Sequence, residues 1–127
     1  MTWSDAADQR ETEWRIDATI SRASACHMSD AKWRKLFESL RELGVGPLRW
    51  KFIRDDRIFV QPVPPAPAVL ERMLDDVLPY PYGPFREIEW VEIPAERGAG
   101  VVEALSAVGQ FLIHQGELGV RVVGYTW

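Results

Sequence analysis

One cysteine, two histidines and no basic cluster limit what this sequence of 127 residues can do. Cys26 has no partner for an internal disulfide, so packing must hold the chain together. Zinc takes three or four ligands in recurring spacings, and Cys26-His27 with the distant His114 supply none of these, so neither a metal nor a cofactor is expected. No catalytic residues are expected either. Cys26 and His27 are adjacent in sequence, where side chains seldom face each other, and no third group is evident to orient them. Gly98-Ala99-Gly100 lacks the longer phosphate-loop pattern and its lysine. No apolar stretch approaches the roughly 18 residues that suggest a membrane span. The opening Met1-Thr2-Trp3-Ser4-Asp5 does not read as a secretory signal, so a reducing cytoplasm is the expected compartment. Fifteen Lys and Arg are scattered among nineteen Asp and Glu, for a net charge of −4. Nucleic-acid binding draws on clustered cations, so this balance argues against it and favours a basic protein partner.

Hydrophobic residues make up 46% of the chain, with six Trp and five Phe, a profile far from that of a disordered sequence. A chain of this length can bury about two-thirds of its unfolded surface as one domain. Residues 1–12 are polar and without period, and read as a loose arm before a single domain over 13–127. From Glu13 to Ser21, Trp14, Ile16, Ala18 and Ile20 alternate with polar residues, which predicts a half-buried strand, although Ile16 and Ile20 would also share a helix face. Ser29 or Asp30 can cap a helix whose apolar face is Trp33, Leu36, Phe37, Leu40 and Leu43, ended by Gly44.

Leu48–Ile53 and Arg57–Pro62 flank Asp55-Asp56 and predict a β-hairpin. The proline-rich 62–67 predicts an extended connector, followed by a second helix with a Val69, Leu70, Met73, Leu74, Val77 and Leu78 stripe. Phe85–Ile93 predicts a strand, Gly100–Gly109 a short helix, and Phe111–His114 with Gly119–Tyr125 a closing hairpin. The expected fold class is α+β: a mainly antiparallel sheet of five or six strands packed against two or three helices.

The segment Phe85-Arg86-Glu87-Ile88-Glu89-Trp90-Val91-Glu92-Ile93-Pro94 carries the functional expectation. Strict alternation would set Glu87 and Glu89 about 7 Å apart on an outer face, with Ile88 and Trp90 on the inner one. With Glu92, Glu96, Asp55 and Asp56, and with Asp75 and Asp76 as additions, these carboxylates would form an acidic docking surface.

The stretches Lys32-Trp33-Arg34-Lys35-Leu36-Phe37, Ile88-Glu89-Trp90-Val91-Glu92-Ile93 and Arg121-Val122-Val123-Gly124-Tyr125-Thr126 resemble a family of small uncharacterised bacterial proteins, a domain of unknown function. The resemblance spans about Asp30 to Trp127 and implies no activity or catalytic residues. The leading expectation is a non-enzymatic protein-binding module: a cytosolic immunity protein or antitoxin that occludes a basic toxin through its acidic surface. The alternative is a small-molecule-binding protein or enzyme whose site assembles from Trp50, Trp90, His114 and Tyr125. A homo-oligomer built through an edge strand or the N-terminal arm is a third reading.

Overall fold

In the computed structural model, which describes residues 14–64 and 85–127, the chain is α+β, with a five-stranded antiparallel sheet at its centre. The predicted loose arm, the second helix with its Leu74 stripe, and Asp75 and Asp76 lie outside the described residues.

Residues 14–20 form a helix, α1, which overturns the strand expected over Glu13–Ser21. The alternation of apolar residues misled: Ile16 is buried while Trp14, two positions away, is among the exposed large hydrophobics. The helix also suits the hydroxyls, since Thr19 Oγ1 donates to the Arg15 carbonyl at 2.9 Å and Ser21 Oγ to that of Ala18 at 2.7 Å.

A two-residue strand, β1 (Ala25–Cys26), then pairs with β7 (Tyr125–Thr126) and ties this region to the end of the chain. Helix α2 (Asp30–Leu43) begins where predicted. The Ser29 hydroxyl accepts from the Lys32 amide, and Gly44 closes the helix in the left-handed region at φ 65°. Trp33, Leu36, Phe37 and Leu40 are its buried face, each worth about 1.5 to 3 kcal/mol when taken from water. Leu43, expected on that face, is exposed.

The predicted hairpin is β2 (Leu48–Phe52) and β3 (Ile58–Gln61). Strand β4 (Ile88–Pro94) follows a single 3-10 turn at Phe85–Glu87, and a second such turn, Ala95–Arg97, leads to helix α3 (Val101–Val108). The closing hairpin is β5 (Ile113–Gly116) and β6 (Gly119–Val123). Strand order across the sheet is β3-β2-β4-β6-β5, every pair antiparallel.

One face of the sheet meets α2 and α3, where Leu48, Trp50, Phe52, Val91, Ile93 and Val122 join the helical side chains in one core. Phe37 is its hub, stacked on Trp50 at 5.1 Å, Trp33 at 5.8 Å and Phe85 at 6.0 Å. The other face carries the candidate site.

Candidate functional site

The site is built on a register that strict alternation does not give. Lys51 pairs with Trp90 and Phe52 with Ile88, so Glu89 is an extra residue in β4 and the strand bulges there. Ile88 before the bulge, and Val91 and Ile93 after it, all reach the core, while Trp90 and Glu92 turn to the second face. The predicted arrangement, with Ile88 and Trp90 together on the inner face, is therefore overturned.

Across that second face the pairing lines up Val60, Arg49, Glu92, Arg121 and His114, one from each strand. Glu92 is only 4% exposed. It accepts from Arg49 Nε at 2.7 Å and from Arg121 Nε at 3.1 Å, so one carboxylate bridges two guanidinium groups. Arg121 also lies over the Trp90 ring, 3.8 Å from its centroid, which explains how an aromatic ring outside the helix-covered core is buried. Arg49 reaches on to the Leu118 carbonyl. Beside this row, Glu89 accepts from the Trp127 indole at 3.1 Å and lies 3.7 Å from Lys51 Nζ.

Among the described residues the expected acidic surface does not form. Glu87 lies in the 3-10 turn rather than on the strand, is 6% exposed and pairs with Arg54. Glu92 is buried as described, and Glu89 is half-buried with its two partners. Asp55 accepts from the Arg57 amide at 2.9 Å and from Arg57 Nη2 at 2.7 Å, which stiffens the β2–β3 turn instead of presenting a free charge. Asp56 and Glu96 are exposed. They sit at opposite ends of the sheet, Asp56 near the start of β4 and Glu96 just past its end. For Glu89 and Glu92 the physical reason is that a carboxylate on a central strand must be compensated, and the neighbouring strands supply Lys51, Arg49 and Arg121.

The alternative quartet does not converge either. Trp50 faces the helical core and donates its indole N–H to the Gln61 carbonyl at 3.1 Å, whereas Trp90 lies on the opposite face. Tyr125 is buried, with its hydroxyl donating to the Arg86 carbonyl at 2.7 Å, and burial pushes that hydroxyl up to about 12. Such a phenol is held as a neutral donor, not as a base. Cys26 and His27 are absorbed into the β1–β7 tie: the thiol donates to the Met28 carbonyl, and His27 Nε2 lies 3.1 Å from Thr126 Oγ1. Among the described residues no group of three metal-ligating side chains gathers, and no helix is long and apolar enough to cross a membrane.

A recess of about 340 Å³ opens at the β5–β6 end of the row, lined by Glu92, His114, Gln115, Glu117, Leu118 and Arg121 among others. Around the face, Ile58, Val60, Leu118 and Trp127 are exposed apolar side chains, Val60 at 66% and Trp127 at 52%. Sequence reasoning placed none of Arg49, Lys51 or Arg121 among the candidate partner-binding residues. No family model, curated protein or solved structure matches the chain. On this face Glu89 and Glu92 are paired with Arg49, Lys51 and Arg121, and Glu117 lines the recess at its edge, so cations and carboxylates balance.

Proposed function

We propose that this chain is a non-enzymatic protein-binding module that engages its partner through the second face of the sheet. The observation that carries the reading is the character of that face. Its charges are locked in mutual pairs above Trp90, while Val60, Ile58, Leu118 and Trp127 stand exposed around them. Arginine held rigid on a strand, beside the exposed Trp127 indole and exposed aliphatic groups, is the kind of side chain that anchors protein interfaces. Pairing in advance also lowers the entropy lost when a partner docks.

An immunity protein or antitoxin that occludes a toxin is the specific form of this proposal, supported by a sequence of 127 residues with an acidic total. It requires the captured partner to lose its activity when bound. The contact surface differs from the one expected: with its strand carboxylates paired to cations, the face offers a partner apolar side chains and arginine rather than an acidic patch.

The test is affinity purification from the native host with the wild-type chain, a Val60→Glu variant and a Glu103→Lys control on the exposed side of α3. A stoichiometric protein is expected with wild type and control and not with Val60→Glu. No protein partner, or one retained equally by the folded Val60→Glu variant, would overturn the reading.

A further inference from the structure

The recess at the β5–β6 end adds a specific chemistry to that face. Arg121 is fixed from two directions, by its Nε–H donated to Glu92 and by the Trp90 ring beneath it. Its two terminal amino groups donate to no described residue, and Arg121 lines the recess. His114 is its cross-strand partner, so both side chains project from the same face of the hairpin with Cβ atoms about 5 Å apart. A guanidinium positioned in this way offers a planar edge of two parallel N–H groups, the geometry that takes a carboxylate by two bonds.

We propose that this recess is a carboxylate-binding subsite, and that the carboxylate belongs to the partner protein, as an Asp or Glu side chain or a chain terminus. The inference rests on the protein-binding reading and names the partner's contact chemistry. Charge selects the ligand. Arg49 and Arg121 together only balance Glu92 and Glu117, so the recess has no surplus positive charge to hold a phosphate dianion, and a monoanion held by the Arg121 fork fits better. The recess also lies beside the edge strand β5, which among the described residues pairs only with β6. A partner chain has room to approach there.

The test uses the full chain, labelled with nitrogen-15 and titrated with sodium acetate or with inorganic phosphate at constant ionic strength. Acetate is expected to shift the Arg121 Nε–H and the Gly116 and Leu118 amides saturably, and phosphate to act more weakly. Arg121→Lys keeps the charge beside Glu92 but removes the fork, and should weaken acetate binding by at least about fivefold. His114 is exposed at the sheet edge, so His114→Ala should fold normally and weaken binding by about threefold. Shifts unchanged in both folded variants, or phosphate binding tighter than acetate at the same residues, would overturn the subsite. The two proposals fail separately. A partner lost by Val60→Glu but bound equally by Arg121→Lys removes the subsite and leaves the module, whereas fork-dependent acetate binding with no partner captured does the reverse.

Discussion

Replacing Glu92 with Gln removes one negative charge from the centre of the second face while keeping the size of the side chain. In the native protein its two oxygens accept from Arg49 and Arg121, and a hydrogen bond to a charged group is worth about 1.5 to 3 kcal/mol net. The amide oxygen of Gln can keep one of these bonds, but its NH2 meets the other guanidinium donor to donor. Two arginines also remain side by side with no anion between them. Loss of one partner from a fully buried pair costs about 3 to 5 kcal/mol. Here the Arg49 and Arg121 side chains are 28% and 35% exposed, so water recovers part of that. The expected loss is about 2 kcal/mol, or roughly 8 °C in melting midpoint for a domain of this length. Urea denaturation followed by tryptophan fluorescence measures it. The gap from wild type should narrow as salt rises, because screening weakens the native pairs and relieves the repulsion in the variant. Glu89→Gln, which faces a cation at 3.7 Å on a half-open site, should cost less than about 1 kcal/mol. A Glu92→Gln loss below about 0.5 kcal/mol, the range of ordinary surface changes, would refute the reasoning.

Two further predictions concern the closing hairpin and the C-terminal strand. Gly119 has φ 151°, and a Cβ there would lie 2.0 Å from the Ile93 carbonyl oxygen, so Gly119→Ala should lose at least about 2 kcal/mol; a denaturation midpoint equal to wild type would contradict it. Tyr125→Phe removes the hydroxyl bonded to the Arg86 carbonyl and should cost about 1 kcal/mol near neutral pH. Because the folded hydroxyl titrates at about 12 rather than 10, its contribution is complete below pH 10 and is lost as pH rises towards 12. The deficit of Tyr125→Phe relative to wild type should therefore shrink between pH 9 and pH 11.5, and a deficit independent of pH would count against the buried phenol.

What could be read from sequence follows the range of the interactions involved. Helix α2 was legible from Ser29 to Gly44 because its cap, its apolar face and its stop signal are all local. The two hairpins were legible because a turn joins neighbouring strands. Helix α1 was not, since Trp14, Ile16, Ala18 and Ile20 fit a two-residue period as well as a helix, and only tertiary burial of Ile16 separates the two. One clue in β4 was overlooked. Glu89 and Glu92 are three residues apart, so a strict period cannot put both on one face, and the mismatch signals the bulge that the pairing of Lys51 and Phe52 displays.

The acidic face failed for a deeper reason than a misplaced strand. A net charge of −4 describes the whole chain, whereas a partner meets only what reaches the surface. Glu87 and Glu92 are buried against arginine, and Asp55 is engaged by Arg57, so these carboxylates contribute to the total without forming an open acidic patch. Recognising this required knowing that Arg49, Glu92 and Arg121, 43 and 29 positions apart, stand abreast on three strands. No local pattern carries that register. The same pairing that removes the acidic surface fixes Arg121 where it lines the recess, so the carboxylate misread as a docking charge instead positions the cation proposed to dock.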